Sequence, residues 1–174
     1  AHLNFNEELK RLIPYILIFW VQGIVYLSVF YGTLQWPMHG SWPLLILAQF
    51  CLVVACASVA TLFFFITLDV TRAMSLVAGF AAPGFAFMGV TFPTTDMPLL
   101  AQVWRALLPI SHYINVQIQQ VNYATTFNQN IGSYVALITF VIGFYIAKLL
   151  VEKRQSLNSS HEEKKDVVEK GCDL

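Results

Sequence analysis

The stretch Met74-Ser-Leu-Val-Ala-Gly-Phe-Ala-Ala-Pro-Gly-Phe-Ala-Phe-Met-Gly-Val-Thr-Phe-Pro93 decides how the rest of the chain is read. It carries no charge, and Ser75, Ala78, Gly79, Ala81, Ala82, Gly84, Ala86 and Gly89 leave it nearly without bulk along several faces. Small residues let helix backbones approach closely inside a membrane, where packing replaces the hydrophobic effect. Pro83 and Gly84 sit at the middle. In water that pair breaks a helix. In a bilayer, neighbouring helices satisfy the freed backbone groups, so the expectation is a central helix kinked and packed about Gly79, Pro83, Gly84 and Gly89.

Composition agrees with that setting. Hydrophobic residues make up 57% of the 174 residues and charged ones 11%, against about 25% charged in soluble domains. No Asp, Glu, Lys or Arg occurs between Arg11 and Asp69, which no soluble core tolerates. A formal net charge of zero excludes a nucleic-acid binder that works by bulk electrostatics. Cys51 and Cys56 would point about 140° apart on a helix, so they read as separate thiols rather than a disulfide or a metal pair.

Working outward from the central stretch gives an all-α integral membrane protein with four transmembrane helices and two short interfacial or re-entrant outer helices. Residues 1–11 form a charged interfacial helix with a capping pattern at Asn4-Phe-Asn6-Glu7. Spans are expected at about 12–34, 43–68, 73–92 and 131–151, each long enough for a hydrocarbon core of about 30 Å. Pro14 falls in the first turn of the first span, where its missing donor costs little. Tyr31, Trp36 and Trp42 bracket the first turn as interfacial aromatics do. The interval 93–130 holds no run long enough to cross. In Pro98 to Leu108 the residues Leu99, Leu100, Val103, Trp104, Leu107 and Leu108 share a face opposite Gln102 and Arg105. In Pro109 to Tyr123 the residues His112, Asn115, Gln119 and Asn122 form a polar stripe. Residues 152–174 read as a charged cytoplasmic tail. Gln22 and Gln49 are the polar residues deepest in the first two spans, and hydrogen bonding between helices is the reading preferred over contact with a substrate.

Basic residues set the orientation. With the amino terminus in the cytoplasm, Lys10, Arg11, Arg72, Lys148, Lys153, Arg154, Lys164, Lys165 and Lys170 lie inside and only Arg105 outside, as the positive-inside rule requires. Both termini are then cytoplasmic, and residues 35–42 and 93–130 face out.

Catalytic signatures are absent from the sequence. There is no G-x-x-x-x-G-K-[ST] loop, H-E-x-x-H helix, paired intramembrane carboxylates or G-x-S-x-G elbow. Ser111-His112 is the one adjacent nucleophile and base ahead of the charged tail, and neighbours on a helix point about 100° apart, away from the mutual geometry a hydrolase needs. No residue is therefore expected to act in catalysis, to bind a cofactor or to ligate a metal.

The order of features resembles the carboxy-terminal half of the type-2 permease family of ATP-binding-cassette exporters. The resemblance rests on Glu8-Leu-Lys-Arg-Leu-Ile-Pro-Tyr15 leading into a span, Gly32 and Pro37 at the outer turn, Met88-Gly-Val-Thr-Phe-Pro93, Met97-Pro98 and Leu107-Leu-Pro-Ile-Ser-His-Tyr113. It covers about residues 7 to 154, with Met88 where the family has Ser and Leu108 where it has Asn. Relative to that family the chain looks like four of six spans. The resemblance implies an export permease subunit located in the inner or plasma membrane. It would pair with a second permease subunit and with ABC ATPase subunits that bind ATP and Mg, with a periplasmic adaptor as a further partner. It also implies that Glu7, Glu8, Lys10 and Arg11 couple to the ATPase, and that Pro93, Pro98, Pro109 and Tyr113 build an outer re-entrant gate. The alternative classes are an intramembrane hydrolase or transferase and a non-transporting membrane scaffold.

Overall fold

A computed structural model describes the backbone of residues 5–67, 69–88, 97–143, 145 and 149, and the side chains of those from residue 10 onward. Every described element is helical: α1 (Phe5–Leu27), a π-helical turn (Ser28–Thr33), α2 (Trp42–Thr67), α3 (Val70–Phe87), α4 (Leu99–Ala106), α5 (Pro109–Tyr123) and α6 (127–143). Three of these are long and apolar enough to cross a membrane, over Lys10–Thr33, Trp42–Thr67 and Val70–Phe87. The protein is a membrane protein. Helix α6 begins four residues before the expected fourth span, most of whose second half lies outside the described residues.

The amino-terminal region differs from expectation. Instead of a short charged helix followed by a span, α1 runs without a break from Phe5 to Leu27 and carries Pro14 in its interior. Proline supplies no N–H to the helical ladder, and within an apolar environment adjacent structure can compensate for that loss. At its far end α1 widens into the π turn, where Leu34 N–H donates five residues back to Val29 O at 2.9 Å. Tyr26 and Phe30, Phe30 and Trp36, and Tyr31 and Trp42 make ring contacts there at 5.5, 5.4 and 6.1 Å. These amphipathic rings gather at one end of the helices, as in an interfacial belt.

Helices α1 and α2 form a hairpin held by close approach. Gly23 lies against the Gln49 side chain so tightly that a Cβ there would overlap its amide. Trp20 Nε1 donates to Ile46 O at 3.3 Å and stacks edge-on to Phe50. Gln49 is buried and its Oε1 has no hydrogen-bond partner, so the structure does not give it the interhelical bond expected for it. Hydroxyls elsewhere fold back on their own helix: Ser58, Thr61 and Thr67 donate to carbonyls four residues earlier at 2.7–2.9 Å. That geometry satisfies them without a partner helix.

The turn into α3 is short because Asp69 caps the helix, accepting from Thr71 N–H at 2.8 Å and Arg72 N–H at 3.4 Å. This moves the start of the third helix from the expected 73 to Val70. Helix α3 continues through Pro83 to Phe87, and Met88 N–H donates to Gly84 O at 2.9 Å. The Pro-Gly pair is tolerated within the helix. Rings of Phe63, Phe80 and Trp104 then link α2, α3 and α4 in series at 5.6 and 5.9 Å.

Candidate functional site

The α4–α5 hairpin covers one end of the helices, and its chemistry is built from polar groups turned inward. Pro98 precedes α4 in an extended conformation, and Gln102 Nε2 donates to Met97 O at 2.9 Å. Leu99, Leu100, Val103 and Leu107 are exposed, whereas Ala101 and Leu108 are buried. The apolar stripe read from the sequence therefore points mostly away from the chain, toward lipid or other protein. Arg105 turns inward and donates to Asn115 Oδ1 at 2.7 Å, tying α4 to α5.

Helix α5 starts with buried Pro109 at its first position and ends where Ala124 takes a left-handed conformation with φ 50°. Left-handed backbone at a non-glycine residue is a firm helix stop. Its inner face enters the core: Tyr113 and Val116 are buried with Leu27, Leu45, Ala48 and Tyr134. Burial, with the Tyr31 phenol nearby, pushes Tyr113 up to about 12. That group stays neutral over the physiological range.

A polar weld joins the hairpin to the loop between α1 and α2. Ser41 N–H donates to Gln120 Oε1 at 3.2 Å, and Gln120 Nε2 donates to Thr125 O at 2.7 Å. His39 N–H donates to Val121 O at 3.2 Å. Gly40 faces Gln120 so closely that a Cβ would collide with its backbone and side-chain oxygens. Gln117 Nε2 donates to Tyr31 Oη at 3.2 Å, and Asn130 Nδ2 to Thr125 Oγ1 at 2.7 Å. Tyr134 of α6 donates to Leu44 O at 2.8 Å. Both loops expected to face out thus lie at the same end of the molecule.

Of the residues singled out for a hinge, Gly84 is buried and packs on Leu108, Pro83 lies inside α3, and at Gly79 no described atom beyond its chain neighbours and its own helix backbone lies within 4 Å of where a Cβ would stand. Gly89 falls outside the described residues. Of the gate residues, Pro98, Pro109 and Tyr113 belong to the hairpin and Pro93 falls outside. Glu7 and Glu8 lie on α1, with side chains outside the described ones, and Lys10 and Arg11 are exposed in its next turn. Ser111 and His112 do not pair: Ser111 Oγ is buried without a partner, and the His112 Nε2 partner is Ala106 O at 3.1 Å.

The polar stripe expected on His112, Asn115, Gln119 and Asn122 includes Asn115, which reaches α4, but leaves out Gln117 and Gln120, which reach the first span and the loop after it. Gly23 and Gly40 were missed as well. A lone glycine among the bulky residues Trp20, Val21, Ile24 and Val25 was the available signal for close approach.

Two half-open grooves lie beside α2. One, of about 630 Å³, runs between α1 and α2 past Tyr15, Phe19, Leu52 and Phe64. The other, of about 250 Å³, lies between α2, α3 and α5 past Val77, Gly84, Met88 and Pro109. Cys56, a free thiol, borders both. Their walls are apolar and carry no charged residue, so they suit apolar or amphipathic molecules and offer no acid–base chemistry.

Comparison with curated proteins and with solved structures found no match. The family model described as ABC-2 family transporter protein matches residues 9–150, which takes in all three spans, the hairpin and α6. The chain belongs to the ABC-2 transporter permease family, whose members are membrane transport subunits and not themselves catalysts.

Proposed function

We propose that the chain is the permease subunit, or the carboxy-terminal half of one, of an ABC-type exporter that moves a substrate out of the cytoplasm or the inner leaflet. Separate ATPase subunits, holding ATP and Mg, supply the energy, and a second permease subunit completes the pathway. A periplasmic adaptor belongs to the same assembly. The observation that carries the reading is the family match over residues 9–150. The packing of Leu108 on Gly84, which seats the hairpin directly on the third span, is consistent with it.

On this reading the protein sits in the inner or plasma membrane with both termini in the cytoplasm, and residues 152–174 form a cytoplasmic tail. Glu7, Glu8, Lys10 and Arg11 meet the ATPase at the inner end of α1. Gly79, Pro83, Gly84 and Gly89 let the third span bend and pack. Pro93, Pro98, Pro109 and Tyr113 shape the outer gate. Coupling requires that nucleotide in the partner change the free-energy difference between two permease states.

Spin labels at Ile13→Cys and Thr71→Cys test this, since both positions are exposed and lie at the ends of α1 and α3 that face the cytoplasm in this reading. In the complete complex, trapping the ATPase with Mg, ATP and vanadate should shift the distance distribution between them. An unchanged distribution, with the ATPase demonstrably trapped, contradicts the coupling.

A further inference from the structure

The turn between α4 and α5 lies within the depth of the spans, not above them. The rings of Trp104 and Phe80 meet at 5.9 Å, and Leu108 packs on Gly84. Phe80 stands about 15 Å along α3 from Val70, with about 10 Å still to run to Phe87, at about 1.5 Å per residue. Pro109 shares a groove with Cys56 and Ala60, both past the midpoint of α2. Arg105, half-buried next to Trp104, therefore places a cation at membrane depth. Its Nη2 donates to the neutral amide of Asn115 at 2.7 Å, and its Nε is buried without a partner. No Asp or Glu occurs in α2, α3, α4, α5 or α6, and Asp96, the acidic residue nearest to it in sequence, lies outside the described residues. A charge at this depth is costly, and where a membrane protein keeps one it marks a pathway or a bound group.

Other donors gather at the same turn. Ser111 stands one turn before Asn115 on the same face of α5, so it faces the side on which Arg105 lies. It is 2% exposed, and its Oγ has no partner. Trp104 Nε1 is buried and equally unpartnered. Of the five buried side-chain polar atoms left so among the described residues, three belong to this turn, and each of the three has a proton to donate. Helix α5, of 15 residues, begins at Pro109, so the positive end of its dipole stands at the same depth. Helices that start within a membrane hold anionic groups in this way. Room for a ligand adjoins the turn: a pocket of about 460 Å³ is walled by Ala106 and His112, which follow Arg105 and Ser111, with Leu62 of α2 and Thr139 and Phe140 of α6. Its one hydroxyl, Thr139 Oγ1, donates to Val135 O of its own helix, and apart from the imidazole the remaining walls are apolar.

We infer that the α4–α5 turn binds the anionic group of an amphipathic molecule, a phosphate or carboxylate held by Arg105 and Ser111, with the apolar remainder in the pocket beside His112. A guanidinium presents paired N–H donors that match such an oxyanion. A small soluble anion would lose its hydration here and gain nothing from apolar walls, so the anionic group belongs to an amphiphile. This deepens the permease reading by naming the class of cargo, and it rests on that reading for the cargo role alone.

The test uses the complete complex in lipid nanodiscs and radiolabelled dodecyl phosphate, with binding read by scintillation proximity. Unlabelled dodecyl phosphate and dodecanoate should displace the probe, whereas dodecanol and inorganic phosphate should not. Arg105→Gln should weaken binding about tenfold or more, the scale of a lost charged hydrogen bond. Arg105→Lys should recover most of that loss, and Asn115→Ala, which cuts the tie between helices but keeps the charge, should stay within about threefold of native. Equal displacement by dodecanol, or native binding in Arg105→Gln, would overturn the inference. Equal displacement by inorganic phosphate would overturn the amphiphile as the source. A loss in Asn115→Ala equal to that in Arg105→Gln, with no recovery in Arg105→Lys, would make Arg105 a structural tie and overturn its role. Binding seen only in Asp96→Asn would make Arg105 the counter-ion of Asp96 and overturn it as well. Stimulation of ATP hydrolysis by dodecyl phosphate is scored separately. Arg105-dependent binding without an ATPase in the assembly, or without stimulation, would keep the anion site and remove the cargo role.

Discussion

Gly84 of α3 and Leu108 at the start of α5 touch so closely that a Cβ on Gly84 would stand 3.1 Å from Leu108 Cδ1 and 3.4 Å from Cδ2. The third span and the outer hairpin are thereby one packed unit, and the glycine is what allows it. Gly84→Leu should destabilise the protein by about 1–3 kcal/mol through overpacking. At Gly79, no described atom beyond its chain neighbours and its own helix backbone lies within 4 Å of where a Cβ would stand, so Gly79→Leu should stay within about 0.5 kcal/mol. Thermal unfolding in detergent compares the two. Equal melting temperatures would remove the claim that Gly84 holds the hairpin, whereas loss of assembly by Gly79→Leu in the full complex would place a partner helix on that side.

The weld at the outer end gives a second expectation. Gly40→Ala drives a methyl into the Gln120 oxygens, and Gln120→Leu leaves the Ser41 N–H and the Thr125 carbonyl without their present partner. Loss of buried hydrogen-bond partners costs about 1–3 kcal/mol. Hydrogen exchange should quicken in residues 34–41 and at the end of α5 in either variant, with α3 unaffected. Unchanged exchange in 34–41 would show that the loop is held by other means.

How much of this was legible in the sequence depends on how sharply each residue marks a side of its helix. The bounds of helix α5 at Pro109 and Tyr123 agree with expectation because proline opens a helix well and the stripe at helical spacing ends at Asn122. Helix α2 is apolar on nearly every side, so nothing in its pattern said that Gln49 faces α1. The expected break before the first span failed because Pro14 can sit inside a helix when the surroundings are apolar. The α4 stripe splits in the structure, with Leu99, Leu100, Val103 and Leu107 exposed and Leu108 buried, because apolar residues carry no sign of direction in a membrane, where they are as stable outward as inward. Gln120 was missed because its role depends on Ser41, about eighty residues away in sequence, a pairing no local pattern reveals.

Membrane orientation yields a third expectation. His39, Thr126 and Thr71 are all exposed, the first two near the hairpin end and Thr71 at the opposite end of the bundle. Single cysteines at His39 and Thr126, in a background without native cysteines, should react with an impermeant thiol reagent in intact cells, and one at Thr71 should not. The reverse pattern would invert the chain and remove Glu7 and Glu8 from the side where an ATPase could meet them.

The central claim is that this chain transports in partnership with an ATPase, and the charged start of α1 is where they are proposed to meet. The most direct measurement is purification of the complete assembly carrying either the native sequence or Glu7→Lys with Glu8→Lys, scoring membrane level, P-loop ATPase recovered and ATP-driven transport. Added positive charge on the inner side does not oppose insertion, so membrane level should match the native protein. The native assembly should contain the ATPase, and the double variant should lose its association or uncouple hydrolysis from transport. A native assembly with no ATPase subunit, active or inert on its own, would contradict it.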